Sequence, residues 1–365
     1  MRIQMMRANT FRSKAWSRIR RMLVCAFLGA VVLAGVNAPG LAQEQAAATT
    51  GKKPAILIID ATRGHREYWN PLTLQEMLNA GYEVGQCPSK KTPTDEELKQ
   101  YNIALVCSIH ADFATDLQPK LEKFMKQGGG VLVTTSGNVV NPLDGATFLK
   151  WLKSLGATIN FQGVVDPERR EVVDWCKWPG APEYIWTSEV ADSPITRGVK
   201  TLWYRSGASA YYMILSSPLE LDKNWTSLVF TGPGSRTVSW AESPYERDRM
   251  SSEFRKAYDG FIQPQGKAQG RLPLLAVRQR GAGRLAVFSV NPQDLFWSGY
   301  IPAQGGVMLH RGFKDRPSDG WKLLDNLYRW LAEPSLAGTA LGGAKTVREQ
   351  LFRKPVTAQK PYDWK

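Results

Sequence analysis

Cysteine and histidine are scarce in this sequence, whose 365 residues include four Cys and three His. The cysteines lie far apart along the chain, at Cys25, Cys87, Cys107 and Cys176. This spacing excludes the usual zinc motifs and the framework of a disulfide-rich fold. An oxidised pair among the last three stays open, and the sequence does not select one.

Acidic residues are absent from the first 42 positions, which carry seven basic residues. There the apolar stretch Met22–Val36 is shorter than the roughly 20 residues of a bilayer span, and small residues precede a cleavage point after Ala42. We predict that 1–42 is a cleaved signal peptide and that the mature chain is periplasmic or secreted in a bacterium. An uncleaved N-terminal anchor is the alternative. No later segment has the pattern of a transmembrane helix.

The chain is basic, with a formal net charge of +14 and a pI of about 9.6. Half of that excess charge lies in the predicted signal peptide. Because export separates the protein from the chromosome and from cytoplasmic RNA, we expect no nucleic-acid partner despite the charge.

Apolar runs and helical patterns alternate after the linker 43–53. Ala55–Ile59, Ile103–Cys107 and Val131–Thr135 are typical of strands buried on both faces of a parallel sheet. Helical patterns follow them at Leu72–Ala80, Leu117–Lys126 and Thr147–Leu155. This alternation predicts an α/β fold, doubly wound and flavodoxin-like, with a mainly parallel sheet.

Local signals predict further elements. Thr94 and Glu97 have the spacing of a capping box before a short helix. Glycines at 281 and 283 predict a β-hairpin between Leu272–Arg278 and Leu285–Val290. The pattern of Trp321–Leu331 predicts a final amphipathic helix. We expect one α/β domain over 54–335 and a loosely ordered tail over 336–365.

The middle of the chain, 161–270, does not continue the alternation of strand and helix patterns, and it is rich in Trp, Tyr, Pro and Gly. We predict a β-rich insertion there, called the aromatic insertion below, with strands near Ser227–Thr231 and Thr237–Trp240. The loop at 232–236 lacks the lysine and the strand–helix setting of a phosphate loop, so we expect no phosphate site in it.

Four segments occur in an order that resembles a known family. They are Gly64-His65 with Trp69 after the first strand, Gly128–Gly130, the sequence Ser-Pro-Ile-Thr-Arg-Gly-Val at 193–199, and Gly281–Phe288. Together they resemble the class I glutamine amidotransferase-like superfold and, within it, the ThuA-like (trehalose utilisation) branch. The branch's segment reads HPITRG, and here Ser replaces its His.

The resemblance implies a degenerate catalytic triad. In active members a Cys on a strand-to-helix turn is the nucleophile, and a His-Pro-Glu after a late strand supplies the base and its carboxylate. Here Ser136-Gly137-Asn138 stands at the turn and Asn291-Pro292-Gln293 follows the late strand. Since neither amide accepts a proton near neutral pH, we expect no glutaminase activity, and whether the protein is an enzyme at all stays open.

Polar residues that follow the predicted strands are the candidate site. In open α/β sheets ligands bind where the strands end, and His65, His110, His310, Asp60, Asp112 and Asp294 fall at or after strand ends. They fit a divalent metal site, an acid/base pair, or unrelated polar residues of loops. As catalytic candidates we take His65, His110, Asp60, Asp112 and Ser136, although Asp60 and Ser136 also suit helix caps or turns. As ligand-binding candidates we take Trp69, Asn138, Asn291, Gln293, Asp294 and His310.

Aromatic density is the second functional signal. The aromatic insertion contains Trp175, Trp178, Trp186, Trp203, Trp225 and Trp240. Aromatic faces suit sugar rings, but aromatic side chains also build irregular β cores, and we favour the core role.

The leading hypothesis is therefore an exported amidotransferase-like domain without glutaminase activity. It would bind a small polar molecule such as a carbohydrate at the strand ends, with any chemistry carried by histidine. The alternative is a non-catalytic module that docks another protein of the cell envelope. The sequence does not identify a cofactor, and a divalent metal is the candidate it leaves open.

Overall fold

A seven-stranded sheet forms the centre of the fold in the part of the chain that the computed structural model describes. The described residues are 54–60, 76–87, 92–108, 111–134, 146–159, 162–172, 183–206, 216–239, 268–290, 312–337 and 341–342.

The strands and helices have the following bounds. The strands are β1 (Ala55–Asp60), β2 (Glu83–Gln86), β3 (Ile103–Ser108), β4 (Gly130–Thr134), β5 (Ala157–Ile159), β6 (Gln162–Val165), β7 (Arg170–Val172), β8 (Glu183–Thr187), β9 (Leu202–Arg205), β10 (Leu219–Leu221), β11 (Thr226–Phe230), β12 (Arg236–Ser239), β13 (Pro273–Arg280) and β14 (Gly283–Phe288). The helices are α1 (Asp95–Lys99), α2 (Ala111–Lys126), α3 (Ala146–Ser154) and α4 (Gly320–Leu336). Along the main sheet the strands follow the order β11-β13-β14-β4-β3-β1-β2. The neighbours from β14 to β2 are parallel, while β13 is antiparallel to both of its neighbours. Three smaller sheets pair β5 with β10, β6 with β12, and β7 with both β8 and, through it, β9.

Both faces of the sheet are covered, as the apolar runs require. Alternate residues of a strand point to opposite faces, so Ile56 and Ile58 pack in the cluster that contains α4, and Leu57 packs with α2 and α3. The structure thus confirms the predicted α/β, flavodoxin-like fold with a mainly parallel sheet. No helix in the described part of the chain is long and apolar enough to cross a membrane.

Local capping and turn signals have the predicted geometry. The Thr94 hydroxyl accepts from the Glu97 amide at 3.1 Å, and the Thr94 amide donates to the Glu97 carboxylate at 2.7 Å, completing the capping box. The hairpin of β13 and β14 turns at Gly281, whose φ of 61° lies in the left-handed region that glycine adopts without strain.

Helix α2 begins at Ala111, six residues before the predicted start at Leu117. The prediction followed the apolar stripe, which includes the buried Leu117, Leu121 and Phe124. Residues 111–116 carry no such stripe, so periodicity alone does not detect the first turns.

Helix α4 extends to Leu336, past the predicted end at Leu331, although Pro334 lies inside it. A proline has no amide hydrogen, so the carbonyl four residues earlier, on Trp330, loses its helical donor. The Arg284 guanidinium donates to this carbonyl instead. An arginine from β14 therefore replaces the missing donor and lets the helix continue.

The aromatic insertion contributes to the main sheet. The predicted strand at Ser227–Thr231 is β11, which pairs with β13 at one side of the seven-stranded sheet. The strand predicted at Thr237–Trp240 is β12, which pairs with β6. The middle of the chain is thus continuous with the α/β core along β11.

Two residues of the C-terminal segment contact the core. Leu341 is buried, and the Gly342 amide donates to the Lys99 carbonyl at 3.0 Å. Beside them, the Asn102 side chain accepts from the Ala55 amide at 2.9 Å. The amino ends of β1 and β3 are therefore fixed by a buried polar contact.

Candidate functional site

The strand order reverses between β1 and β3. Strand β2 lies on one side of β1, whereas β3 and β4 lie on the other. The helical residues 76–79 that precede β2 bring Met77 to the cluster of α4, but α2, which follows β3, brings Leu117 to the opposite face. The described residues that follow β1 and β3 thus lie on opposite faces of the sheet. Such a switch point opens a crevice, where open α/β sheets bind ligands.

The register places polar residues side by side at this point. Asp60, the last residue of β1, pairs with Ser108, the last residue of β3. The preceding pair is Ile59 with Val106, so the register shifts and Cys107 is an extra backbone residue. Irregularities of this kind are common next to active sites, where they redirect a strand end. We call the edge where β1, β3, β4 and β14 end the carboxyl edge.

The structure places two of the predicted site residues by their backbone. Asp60 ends β1, and Asp112 is the second residue of α2, the helix that follows β3. The other candidates lie outside the described residues: His65, Trp69, His110, Ser136, Asn138, Asn291, Gln293, Asp294 and His310. Their roles stay predictions.

Two hydroxyl groups at the carboxyl edge have structural partners. Thr134, the last residue of β4, is fully buried and its Oγ1 is 3.5 Å from the Val106 carbonyl oxygen. Ser289, directly after β14, is also fully buried and donates to the Leu274 carbonyl at 3.1 Å. Both hydroxyls link neighbouring strands, so the geometry gives neither of them a role as a nucleophile.

The described residues contain no group of three His, Cys, Asp or Glu side chains that could hold a metal ion. The histidines predicted as metal ligands are outside this part of the chain. The divalent metal therefore stays one of the open alternatives.

The glycine-rich loop at 232–235 surrounds an internal carboxylate. Asp166 is fully buried and accepts from Ser235 Oγ at 2.9 Å and from the Arg169 amide at 3.2 Å. A Cβ on Gly232 would lie 2.5 Å from an Asp166 oxygen. Burial, with the negative charge of Asp166 adding to it, raises the pKa of the nearby Tyr204. The loop joins β11 to β12 and packs around the side chain of Asp166.

The described tryptophans of the aromatic insertion are packed inside the protein. Trp203 is 1% exposed, and Trp225, 8% exposed, donates its Nε1–H to the Leu155 carbonyl at 2.8 Å. Trp186 is partly buried, with the Arg316 guanidinium 3.9 Å from its ring centroid. These side chains serve the core, the role favoured from the sequence.

The segment 193–199, which resembles the family's HPITRG, lies within the aromatic insertion and packs against α4. Its Ile195 is buried in the core. The Asn326 side chain on α4 donates to the carbonyl oxygens of Ile195 and Arg197, at 3.0 and 3.2 Å. The contacts give this segment a packing role at the start of the last helix.

Sequence reasoning missed two residues that define these sites. Ser108 was not singled out, although it directly follows the predicted strand Ile103–Cys107. Asp166 was also missed, since no pattern in the sequence marks it. Neither partnership, with Asp60 or with Ser235, is visible without the three-dimensional register.

Of the comparisons with known proteins, the one with solved structures found similar chains. No family model matches the chain, and no curated protein matches it. Among solved structures, the N-terminal domain of mmIFT52 is 16% identical with a TM-score of 0.44, over 76% of this chain and 96% of that one. A putative ThuA-like protein from Bacteroides uniformis is 14% identical with a TM-score of 0.41, over 80% and 98%. One from Parabacteroides merdae is 11% identical with a TM-score of 0.40, over 77% and 90%. The neighbours thus include ThuA-like proteins.

Proposed function

We propose that this protein binds a small polar ligand, with a carbohydrate as the favoured class, in the crevice between the carboxyl ends of β1 and β3. The observation that supports the proposal is the reversal of strand order at this point, with Asp60 and Ser108 paired beside it. Ligands of open α/β sheets bind at such a switch point because the connections diverge and leave space. Asp60 and Ser108 are polar residue types, and carboxylate and hydroxyl groups suit the recognition of sugar hydroxyls.

Any chemistry is assigned to His65 and His110, oriented by Asp60 or Asp112. His110 is two residues after Ser108, so their Cα atoms lie within about 8 Å of each other. His65 follows β1 by five residues. Both histidines therefore belong to the two connections that leave the switch point, and an imidazole exchanges protons near neutral pH.

The proposal includes membership of the ThuA-like branch without glutaminase activity. Strand β14 ends at Phe288, beside β4, and Asn291 follows three residues later. By the resemblance, the amides of Asn291 and Gln293 follow this strand where the family has its base and carboxylate. Export stays part of the proposal on the evidence of the sequence over 1–42.

The alternative, docking of another protein through the aromatic insertion, gains no support from the described residues. Among them, Leu336 is the one large hydrophobic side chain that is exposed, and it lies on α4 outside the insertion. Of the described tryptophans of the insertion, Trp203 and Trp225 are buried and Trp186 is partly buried. We therefore retain the small-ligand proposal.

Calorimetric titration with neutral mono- and disaccharides tests the proposal. The variant is the double substitution His65→Ala and His110→Ala, and the control is Lys126→Ala. Lys126 ends α2, about 24 Å along the helix from its start at the carboxyl edge. We expect a bound sugar to lose at least about tenfold in affinity in the double variant, since one lost hydrogen bond is worth about 1.4 kcal/mol.

Two results would contradict the proposal. Undiminished affinity in the double variant would remove the two histidines from the site. Absence of binding by every sugar would exclude the carbohydrate class. The control variant is expected to bind like the unmodified protein.

A further inference from the structure

Basic side chains are concentrated at the edge of the main sheet that lies opposite the carboxyl edge. Strands β1, β3, β4 and β14 begin at this edge, which we call the amino edge. Strand β13 ends there, because its last residue, Arg280, pairs with Gly283 of β14. Helix α3 also ends there, since the Arg278 guanidinium donates to the carbonyl oxygen of Leu155, the residue that follows α3.

Five cations surround the end of α3, and we call them the cationic patch: Lys150, Lys153, Lys223, Arg278 and Arg280. The two arginines alternate along β13 with Ala276, which packs with α2 and α3, so all three lie on that face of the sheet. Two of the lysines belong to the later turns of α3. The third follows Asp222, whose amide donates to the Gly156 carbonyl at 2.8 Å. The five residues therefore belong to one surface.

The carboxylates of this surface leave its lysines unpaired. Glu122 accepts from Arg280 Nε at 3.1 Å and from Trp151 Nε1 at 3.0 Å. Asp222 accepts from the amide two residues later, at 2.8 Å, and Glu220 is exposed on β10. The three lysines of the patch are exposed, and no ion pair among the described residues involves them. Five cations thus stand against three carboxylates, with three ammonium groups open to solvent.

The fold explains only part of this concentration of charge. Lys153, in the last turn of α3, stabilises the negative end of the helix dipole, and the two arginines hold the ends of helices by the contacts given above. Lys150 lies three residues before Lys153, on the same side of the helix, where like charges repel each other. Lys223 belongs to no helix. Bringing these lysines together therefore works against folding stability.

We propose that the cationic patch docks this protein on an anionic bilayer surface, by contact with the phosphate groups of lipid headgroups. Clustered lysines and arginines near such a surface each add to the affinity for it. A protein partner would need apolar anchors at the centre of its interface. Among the described residues the one exposed large hydrophobic side chain, Leu336, lies on α4, which packs on the other face of the sheet. Charge without an apolar anchor favours headgroups over a folded protein.

The position of the patch also fits a bilayer. Both fates considered for the N-terminal segment, cleavage during export and retention as an anchor, occur at a membrane. The chain enters the described part at Pro54, and Ala55 begins β1 at the amino edge. The crevice between β1 and β3 opens at the opposite edge, so docking leaves it accessible. The proposal does not depend on the identity of the ligand that binds there.

Co-sedimentation of the full chain with lipid vesicles tests the docking. One kind of vesicle contains equal amounts of phosphatidylglycerol and phosphatidylcholine, and the other contains phosphatidylcholine alone. The patch variant combines Lys150→Gln, Lys153→Gln and Lys223→Gln. We expect its partition coefficient to fall at least about tenfold on the anionic vesicles and to stay unchanged on the neutral ones. The N-terminal residues are the same in every variant, so the ratio between variants reports the patch.

The matched control combines Arg197→Gln, Lys200→Gln and Lys322→Gln. It removes the same charge from three exposed residues near the start of α4. We expect its partition coefficient on the anionic vesicles to change less than about twofold, because charges beyond a Debye length from the surface are screened. All six substituted side chains are exposed, so both variants should fold, and circular dichroism checks this.

Three results would overturn the proposal. Equal losses in the two variants would make net charge, not the patch, the cause. An unchanged partition coefficient in the folded patch variant would remove the patch from the contact. Absence of binding to the anionic vesicles by the unmodified protein would exclude the lipid surface, and binding of labelled polyglutamate that falls in the patch variant would then assign the patch to an acidic protein. The sugar titration tests the other edge and is independent of each outcome.

Discussion

The Arg284 side chain replaces the amide donor that Pro334 lacks. The free energy of unfolding that is lost in Arg284→Ala therefore depends on the presence of the proline. The guanidinium donates to the Trp330 carbonyl and lies 4.6 Å from the Trp330 ring centroid. It also pairs with Glu333, which is 68% exposed. Arg284→Ala therefore removes three contacts, of which the first exists because of the proline.

The magnitude follows from these contacts. A hydrogen bond to a charged donor is worth about 1.5–3 kcal/mol, the cation–π contact about 0.5–1 kcal/mol, and an exposed ion pair close to nothing. We expect Arg284→Ala to lower the free energy of unfolding by about 2–4 kcal/mol. In a Pro334→Ala background the residue at 334 donates to the Trp330 carbonyl itself, and the cost falls to about 1–2 kcal/mol.

Urea unfolding of the four proteins in this double-mutant cycle, followed by circular dichroism, measures the coupling. We expect a coupling energy of about 1–2 kcal/mol between Arg284 and Pro334. Equal costs of Arg284→Ala in both backgrounds, within about 0.5 kcal/mol, would refute the replacement of the missing amide.

Three further predictions concern stability. Asn102→Ala lowers the free energy of unfolding, measured in urea, by about 3 kcal/mol. The reason is that the Asn102 side chain, 1% exposed, accepts from the Ala55 amide and donates to Ser335 Oγ, and the variant loses both buried hydrogen bonds. Gly232→Ala lowers the melting temperature, since its methyl group would lie 2.5 Å from an Asp166 oxygen, whereas Gly234→Ala, at 3.6 Å, leaves it nearly unchanged. Burial raises the pKa of Asp319, but two backbone amides and a lysine ammonium group outweigh it and hold the pKa below its usual value. The stabilisation that the ionised Asp319 carboxylate contributes is therefore complete above the unfolded pKa of about 3.9, and it is lost as the pH falls through the lower folded pKa. In urea unfolding, the difference in stability between the unmodified protein and Asp319→Asn should therefore vanish in acid.

Each of these predictions has a result that contradicts it. For Asn102→Ala, a loss below about 1 kcal/mol would mean that its buried hydrogen bonds add little. Equal melting temperatures for the two glycine variants would contradict the close approach of Asp166 to the loop. For Asp319→Asn, a difference from the unmodified protein that persists unchanged in acid would contradict the lowered pKa.

Elements specified by neighbouring residues could be predicted from the sequence. The capping box of Thr94 and Glu97 and the turn at Gly281 depend on residues next to each other in the chain. The end of α4 could not be predicted, because Pro334 signals a stop and the compensating Arg284 comes from a distant strand. The start of α2 was missed because its first turns carry no apolar stripe.

For the candidate site, the sequence predicted which residues end strands but not which strand ends meet. Asp60 was expected at the end of β1, and the structure has it there. Its pairing with Ser108 depends on the strand order and on the register shift at Cys107, which are long-range properties. The histidines themselves stay predictions that rest on their place in the chain.

The central claim is that the connections after β1 and β3 form one ligand site. A sugar identified by calorimetry can be titrated into histidine-labelled protein while the imidazole cross-peaks of His65 and His110 are followed. The account predicts that both cross-peaks shift along one binding curve with a single dissociation constant. A sugar that binds while either cross-peak stays in place would contradict it.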